Sequence, residues 1–412
     1  MEKLWVYPEA ADEKLVQHLS QQINIHPIIA KFLIKMDINT PEKVDEFFNP
    51  SLSKLLDPFL MRDMDKAVTR IRKAIEGKER ILVYGDYDVD GTTAVSILHS
   101  FIANQPGVKM LPVEERQLEY RIPDRYSEGY GLNFEAVNFA KEHHFSLIIT
   151  LDCGIRGNSE IELANQYGID IIVGDHHRSG DELPNAFAIL DPKIDGETYP
   201  YKDLSGAGIA FKIVEAYCKK YDIDEAKIYR YLDLCVMSIA SDVVPITGEN
   251  RILAYYGLKR INTKPRPAIE AILKHALIFR NQDPKSPIFF FDKPLFFDRE
   301  LTINDLVFLI GPRINAAGRM ESGKNAVRLL ETEDNRLENF SAEIEAYNNE
   351  RKELDRKATD DAIEVLDRLA EDFHHQTQKT TVVFNEEWHK GIIGIVASRL
   401  VEKYFRPTIV FT

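Results

Sequence analysis

Three aspartates stand at alternate positions in one short stretch of the sequence. The segment ILVYGDYDVDGTTA contains Asp86, Asp88 and Asp90, and Gly91 follows them. Because alternate residues of an extended loop point to the same side, Asp86 and Asp88 can reach one site. Asp90 precedes GTTA, and we expect it to cap the following helix and to support the loop rather than to bind a metal. The spacing fits either a calcium loop or the rim of a catalytic metal site.

Two familiar interpretations of this loop fail. A calcium loop needs a bidentate Glu at its twelfth position and a helix in front of it. The twelfth residue counted from Asp86 is Ile97, and the apolar run RILVY before the loop is typical of a strand. A phosphate-binding P-loop also fails, because its spaced glycines and its terminal Lys-Ser/Thr pair are missing. A catalytic metal site is the interpretation that remains.

Two later strands also end in side chains that bind metals. LIITLDCG places Asp152 after one strand, and IDIIVGDHH places Asp175, His176 and His177 after another. In an open α/β sheet the functional crevice lies outside the carboxyl ends of the strands. One Asp after a strand is more often a helix cap than a ligand, but capping does not explain the joint occurrence. We therefore expect one site at this edge, with one of the two histidines at the metal and the other facing substrate.

The mixture of side chains indicates which ions and which chemistry fit. Carboxylates with imidazole suit Mn²⁺ or Mg²⁺, with Zn²⁺ or Co²⁺ as the alternative. Several converging carboxylates suggest two ions that share a bridging group, activate water and stabilise an in-line displacement at phosphorus. Asp242, in VMSIASDVVPITGEN, ends an apolar helical run and could enter the site from the helical side. Capping of a turn explains Asp242 equally well on local grounds.

The elements around these residues predict the fold class. From about residue 80, short apolar strands (RILVY, VKMLPV, SLIITL, IDIIV and FAILDP) alternate with amphipathic helices. This pattern is typical of a parallel sheet covered by helices on both faces. Short helices are expected over residues 1–60, and a long charged helix over 334–370 connects to a second, smaller α/β pattern at 371–412. We expect the sequence to be partial, because it stops within the apolar strand PTIVF.

The bulk composition limits the possible partners and compartments. A chain of 412 residues exceeds one hydrophobic core, so two or more domains are expected. Its net charge of −14 means that binding to a polyanion needs a local basic track or bound cations. Three scattered cysteines do not form a disulfide framework, and neither a signal-peptide pattern nor a long apolar run is present. The sequence therefore predicts a reduced, cytoplasmic protein.

Four of the motifs resemble those of a known superfamily. VYGDYDVDG, LDCG, GDHH and ASDVVP stand in the order and spacing of the motifs of the DHH phosphoesterases. Further segments, IPDRYSEGYGL, DLSGAGIAFK, TGENR, GPRINAAGRM and WHKGIIGIVASRLVEKYFRPTIVF, resemble the RecJ family of single-stranded-DNA-specific 5′→3′ exonucleases. The likeness runs over essentially the whole sequence. It implies a DHH domain over residues 61–333 and part of a DHH-associated domain over 371–412, which the family continues and follows with an oligonucleotide-binding fold.

The resemblance also implies roles for individual residues. The ligands of two Mn²⁺ or Mg²⁺ ions would be Asp86, Asp88, Asp152, His176 and Asp242, with Asp152 bridging the ions. His177 would lie beside the metals or contact the scissile phosphate, and Asp175 would be a supporting group. The residues that hold the DNA backbone would be Arg125, Arg313, Arg319, His389, Ser398 and Arg399. Arg125 and at least one of Arg313 and Arg319 would hold the 5′-phosphate, because an arginine fork suits a phosphate.

The implied activity is hydrolysis of single-stranded DNA from its 5′ end to nucleoside 5′-monophosphates, in DNA repair and recombination. A single-stranded-DNA-binding protein and a helicase are the implied protein partners. One alternative is another DHH enzyme: an oligoribonuclease, a cyclic-dinucleotide phosphodiesterase or an inorganic pyrophosphatase. Such chains are generally shorter and lack the N-terminal helical segment and the GPRINAAGR region. The other alternative is an inactive scaffold of the same fold, which predicts lost ligands, whereas every expected ligand is present.

Overall fold

The computed structural model describes residues 4–6, 11–109, 117–281, 289–290, 293–372 and 379–412. It confirms an α/β fold with a parallel sheet and helical additions. No helix within these described ranges is both long and apolar enough to cross a membrane.

The N-terminal segment forms three short helices, as its sequence predicts: α1 (Glu13–Ile23), α2 (Pro27–Lys35) and α3 (Pro41–Phe48). A proline starts both α2 and α3, where its missing N–H and fixed φ suit the first turn. The apolar faces of the helices meet in a small core of their own, formed by Val16, Leu19, Ala30, Leu33 and Ile38. Two 3₁₀ turns, Leu52–Lys54 and Pro58–Leu60, then lead into the main body.

The main body is built on five parallel strands. They are β1 (Arg80–Gly85), β2 (Leu118–Arg121), β3 (Phe145–Leu151), β4 (Asp170–Gly174) and β5 (Ala188–Leu190), in the order β2-β1-β3-β4-β5. The connecting helices are α4 (Met64–Glu76), α5 (Val89–Ala103), α6 (Pro106–Lys109), α7 (Phe134–Glu142) and α8 (Asn158–Gln166). Since β1, β3 and β4 are neighbours and run in the same direction, their carboxyl ends lie side by side.

Both faces of this sheet are covered, which explains why the central strands β1, β3 and β4 are largely apolar. On β1, Ile81 and Val83 belong to the larger core, whereas Leu82 and Tyr84 belong to the core on the opposite face. Helix α5 and the later helix α9 (Gly206–Lys220) pack into the larger core. Residues of α7 and α8 pack into the smaller one.

One predicted strand is wrong in its described part. Of VKMLPV, residues 108 and 109 lie in α6, and the remainder falls outside the described residues. The second strand is instead β2, whose sequence LEYR mixes polar and apolar residues. β2 lies at the edge of the sheet and is only partly buried, so it lacks the apolar run that identifies the central strands.

Helices complete the chain after the sheet. They are α10 (Leu232–Ser241), α11 (Gly248–Thr263), α12 (Pro267–Lys274), α13 (Ile303–Asp305), α14 (Gly311–Met320) and α15 (Gly323–Glu331), with a π-helix at Leu306–Ile310 and a hairpin of β6 (Phe289–Phe290) and β7 (Lys293–Pro294). The predicted long helix is α16 (Leu337–Asp372). The second α/β pattern consists of β8 (Thr381–Phe384), α17 (Ile393–Tyr404) and β9 (Thr408–Phe411), with β8 and β9 parallel. The expected domain limits themselves stay predictions.

Candidate active site

The aspartate loop turns directly from β1 into α5. Asp88, in extended conformation, is the N-cap of α5, and its Oδ1 accepts a hydrogen bond from the Gly91 amide at 3.1 Å. The expectation that Asp90 caps this helix is therefore wrong, because Asp90 already lies in the first turn. Gly91 is required here, since a Cβ at this position would overlap the backbone of Asp86. The turn places Asp86 and Asp88 at the carboxyl edge of the sheet.

Asp152 occupies the corresponding position after β3. Its φ of +60° is left-handed, which costs energy for a residue other than glycine and is found most often at functional sites. The Asp152 amide donates to the carbonyl of Gly174 on β4 at 2.8 Å, which holds the strained turn in place. A Cβ added at Gly206 would lie 2.7 Å from the Asp152 Cβ, so α9 begins directly against this side chain.

His176 brings the third strand end into contact with these carboxylates. Its Nε2 lies 3.0 Å from Asp152 Oδ1, 3.4 Å from Asp90 Oδ2 and 3.7 Å from Asp242 Oδ2. Asp242 is the C-cap of α10 and reaches the site from the helical side, as its sequence context suggested. The structure thus brings the imidazole among three carboxylates from different elements.

Asp90 has a larger part in the site than its sequence context indicated. Its oxygens accept hydrogen bonds from the amides of Gly206 (2.7 Å) and Ala207 (2.8 Å) and from Ser238 Oγ (2.7 Å). These contacts fit a supporting role, but the same carboxylate also forms a potential metal-binding group with His176 and Asp242. The sequence contained one sign of this second role: Asp90 is the third aspartate of the D-x-D-x-D spacing.

The ligand atoms fall into overlapping groups, each compact enough for one ion. Within the described residues, atoms within 4.8 Å of one another are offered by Asp86, Asp88 and Asp152, by Asp90, His176 and Asp242, and by Asp152, His176 and His177. Asp152 belongs to the first and third groups, and its Oδ1 lies 3.0 Å from His176 of the second. All five predicted ligands are therefore brought together, and their assignment as ligands stays a prediction.

The electrostatics of the groups favour a bound cation. Burial, followed by the charge of Asp88, raises the pKa of Asp86 to about 7. Burial and the charge of Asp90 raise the pKa of Asp88 to about 6, and burial and the same neighbour raise that of Asp152 well above its usual value. Among the described residues, buried Asp86 Oδ1 and Asp242 Oδ2 have no hydrogen-bond partner. Hard oxygen donors with uncompensated charge fit Mn²⁺ or Mg²⁺.

Asp175 supports the site through hydrogen bonds to its neighbours. Its buried carboxylate accepts hydrogen bonds from the amides of Ile155 (3.0 Å), His176 (2.7 Å) and His177 (3.1 Å), and from His177 Nδ1 at 2.8 Å. Burial acts to raise the Asp175 pKa, but the contacts with His177 outweigh burial and lower it. The same hydrogen bond raises the pKa of His177, whose ring is half exposed.

The predicted phosphate-binding arginines have different surroundings. The Arg125 guanidinium lies 4.7 Å from the centre of the Tyr87 ring, and its charge acts to lower the pKa of Asp86. Arg319 Nη1 donates to the carbonyl of Gly391 at 3.2 Å, and burial, followed by the charge of Arg125, lowers its pKa. Arg313 is instead buried against α16, where its Nε donates to Glu345 at 2.6 Å.

The predicted residues of the C-terminal segment lie on a turn and on α17. His389 Nδ1 accepts from the Gly391 amide at 3.0 Å, and its ring meets that of Tyr126 edge to face. Tyr126 also donates to the carbonyl of Arg319, so this turn is docked beside Arg319. Further along α17, Ser398 Oγ donates to the carbonyl of Gly394 at 3.1 Å, and Arg399 pairs with Asp355 of α16 at 2.6 Å.

Comparison with known proteins identifies relatives of this chain. Residues 80–239 match the family model described as DHH family, N-terminal domain. The single-stranded-DNA-specific exonuclease RecJ of Bacillus subtilis (strain 168) is 37% identical over 400 residues, which cover 97% of this chain and 46% of that protein. RecJ of Escherichia coli (strain K12) is 31% identical and covers 93% of this chain and 63% of its own length.

Solved structures show the same fold. A crystal structure of exonuclease RecJ bound to manganese has 27% sequence identity and a TM-score of 0.69, covering 87% of this chain and 82% of that one. RecJ from Thermus thermophilus in complex with Mn²⁺, at 24% identity, has a TM-score of 0.75 and covers 97% of this chain and 52% of that one. The chain spans about half the length of the first of its curated relatives, 46% of the Bacillus protein. By sequence and by fold, the chain is similar to RecJ exonucleases, and its residues 80–239 match a DHH-family domain.

Proposed function

We propose that the protein is a metal-dependent exonuclease that degrades single-stranded DNA from the 5′ end and releases nucleoside 5′-monophosphates. One observation carries this proposal: three compact groups of carboxylate and imidazole ligands lie together at the carboxyl edge of the sheet, and Asp152 belongs to two of them. The names of the RecJ relatives support the substrate and the reaction. The manganese-bound RecJ structure supports the choice of Mn²⁺ or Mg²⁺.

The two groups hold one divalent ion each in this proposal. Asp86, Asp88 and Asp152 would hold the first ion, and His176 and Asp242 would hold the second, with Asp90 as an additional ligand of the second. Two such ions supply an activated water and positive charge for the attacking and leaving oxygens of an in-line displacement. Asp175 keeps the neighbouring His177 in place, so that its half-exposed ring can contact the scissile phosphate.

The substrate side of the proposal uses cations beside this acidic edge. Arg125 and Arg319 hold the 5′-phosphate, since both lie beside the aspartate loop: Arg125 is 4.7 Å from the Tyr87 ring, and Gly318, next to Arg319, packs against the Tyr87 backbone. His389, Ser398 and Arg399 contact the following backbone, with backbone N–H groups at the start of α17, which has no side-chain cap, as additional donors. These positive groups and the bound ions provide the local positive charge that DNA binding needs, because the net charge of −14 otherwise repels DNA. Arg313 serves structure instead, through Glu345.

A panel of end-labelled oligonucleotides tests the proposal. In the presence of Mn²⁺ the purified chain should release mononucleotides from 5′-labelled single-stranded DNA, and chelation of the metal should stop the reaction. Release from the 3′ end first would refute the polarity. Cleavage restricted to dinucleotides or pyrophosphate would favour another DHH enzyme. An absence of any Mn²⁺-dependent cleavage would favour an inactive scaffold.

The cellular context is part of the same proposal. The three cysteines, Cys153, Cys218 and Cys235, are buried and unpaired, which fits a reducing cytoplasm. DNA repair and recombination would be the process, with a single-stranded-DNA-binding protein and a helicase as partners. Co-purification and pull-down with these two proteins from the same organism would test the partners. The division into residues 1–60, 61–333, 334–370 and 371–412 can be tested by limited proteolysis.

A further inference from the structure

The loop between β2 and α7 carries a tyrosine to the mouth of the site. Tyr130 stands between Gly129 and Gly131, whose φ angles of +80° and +87° are in the region that favours glycine. Nothing lies within 4 Å of a Cβ added at either glycine, so the backbone conformation, rather than lack of space, requires them. Tyr84 of β1 anchors the loop, because its buried hydroxyl donates to the carbonyl of Gly131 at 2.8 Å.

The Tyr130 hydroxyl lies between the backbone of Asp152 and the ring of His177. It donates to the Asp152 carbonyl at 3.2 Å and lies 3.3 Å from both ring nitrogens of His177. A carbonyl only accepts, so the single phenolic proton points to Asp152 and the oxygen lone pairs face the imidazole. The two rings meet edge to face with their centres 5.8 Å apart. Tyr130 therefore links the strained strand end to the exposed histidine.

His177 has a second restraint, which is its hydrogen bond with Asp175. Its Nδ1 lies 2.8 Å from the buried carboxylate of Asp175, which acts as an acceptor. The contacts with Asp175 and with Tyr130 therefore both limit the rotation of a ring that is half exposed. The Asp175 hydrogen bond holds the ring at Nδ1 only. Tyr130 supplies the missing restraint.

We propose that Tyr130 is a positioning residue for the reaction and that its hydroxyl holds the His177 ring at a constant distance from Asp152. This inference rests on the proposed function, because it assigns His177 a substrate-facing part in the same site. Tyr130 acts through His177 and does not replace it. Loss of the hydroxyl should therefore affect the turnover of bound substrate more than the binding of DNA or metal.

The substitution Tyr130→Phe removes the hydroxyl and keeps the ring. We expect kcat on single-stranded DNA to fall about tenfold and KM to change less than about twofold, as for one lost hydrogen bond that acts in the transition state. Tyr167→Phe is the matched control: its hydroxyl contacts Asn138, and Tyr167 precedes β4 at the opposite edge of the sheet. This control should leave both constants unchanged. A Tyr130→Phe enzyme with unaltered kcat would overturn the inference.

A double-mutant cycle tests whether Tyr130 acts through His177. In a His177→Asn background, Tyr130→Phe should have no further effect on kcat, because the ring that it holds is gone. A tenfold loss of kcat in both backgrounds would contradict a positioning role. Folding and Mn²⁺ binding of each variant, followed by thermal denaturation and calorimetry, should match those of the parent protein.

A spectroscopic measurement separates this inference from the proposed function. With ¹⁵N-labelled histidine, the ring nitrogens of His177, assigned by their loss in His177→Asn, should shift in Tyr130→Phe and stay unchanged in Tyr167→Phe. This measurement needs no substrate. If the wild-type chain degrades no DNA, the proposed function fails while the His177 signals still decide whether Tyr130 holds the ring. Unchanged His177 signals in Tyr130→Phe would overturn the inference.

Discussion

Two buried charged clusters lie in the main body of this protein and are built in opposite ways. In the first, Lys212 is fully buried, with its Nζ 2.7 Å from Glu249 and 2.9 Å from Glu215, and it donates to the carbonyl of Leu56 at 2.8 Å. Glu249 also accepts from the Leu56 amide at 2.9 Å and from the Tyr199 hydroxyl at 2.6 Å. Opposite charges and hydrogen bonds satisfy one another in this cluster.

The strand-edge cluster has no such compensation. It gathers aspartates around the imidazoles of His176 and His177, and the buried oxygens Asp86 Oδ1 and Asp242 Oδ2 have no hydrogen-bond partner among the described residues. Burial, and after it the charge of Asp88, raises the pKa of Asp86 to about 7. The comparison teaches that buried charge is arranged in two ways here: opposite charges compensate one another in the Lys212 cluster, whereas the like charges of the strand-edge cluster would be compensated by a bound cation.

The largest expected effect concerns the centre of the strand-edge cluster. Asp152→Asn should lower Mn²⁺-dependent hydrolysis of single-stranded DNA at least about a thousandfold, because it removes the shared ligand. Without metal, its melting temperature should not fall, since the substitution relieves repulsion between buried carboxylates. Asp195→Asn, at an exposed position, is the control and should change neither activity nor melting. A folded Asp152→Asn protein with normal activity would remove the basis of the comparison.

The Lys212 cluster should show the opposite response. Lys212→Met should lower the free energy of unfolding by about 3–5 kcal/mol, because it leaves Glu249 buried without its charge partner. Activity per folded molecule should stay near that of the parent at low temperature. Lys219→Met, on the same helix, removes an exposed pair with Asp57 and should cost less than about 1 kcal/mol. Urea denaturation of both variants measures the difference, and equal losses would contradict it.

The two arginines of GPRINAAGRM allow the same contrast within one helix. Arg319→Lys should raise KM for single-stranded DNA about tenfold, because a lysine cannot replace the fork that holds a phosphate. Arg313→Lys should leave KM within about twofold and should lower stability by about 1–3 kcal/mol through its contact with Glu345. Steady-state kinetics and urea denaturation separate the two outcomes. A raised KM in Arg313→Lys would indicate that this arginine also contacts the DNA.

The smallest effect concerns Asp191, which follows β5 at the same edge. It is fully buried, and its Oδ2 has no partner among the described residues. Burial raises its pKa from 3.8 to about 7, so the folded protein favours the protonated form. The stability that this proton contributes is complete below about pH 4 and is lost as the pH rises towards about 7.

Asp191→Asn should therefore raise the free energy of unfolding at pH 8 and change it little at pH 4. Chemical denaturation at the two pH values measures this difference, with Asp195→Asn as the exposed control. An equal effect at both pH values would show that Asp191 acts through its shape rather than through its charge.

The central strands β1, β3 and β4 could be predicted from the sequence because they are short, apolar and followed by polar residues. Strand β2 could not be predicted in this way, because its sequence LEYR mixes polar and apolar residues. This mixture follows from its position at the edge of the sheet, which only the strand order reveals. The phosphate contact expected of Arg313 stays a prediction, and the structure adds an ion pair that the sequence does not indicate. The partner of Arg313, Glu345, is 32 residues further along the chain on α16, so no local pattern indicates the pair.

The residue types, their spacing and the apolar strands were enough by themselves to determine the parallel α/β fold and the acidic site at one edge of the sheet. Local preferences determine the strands and helices, and the site follows because parallel strands end on the same side of the sheet. Only the tertiary structure decided the part of each side chain. Asp90 accepts hydrogen bonds from the amides of Gly206 and Ala207, which are more than 100 residues further along the chain. Tyr130 contacts His177, which is 47 residues further along. Such contacts depend on packing between distant segments, which local sequence does not encode.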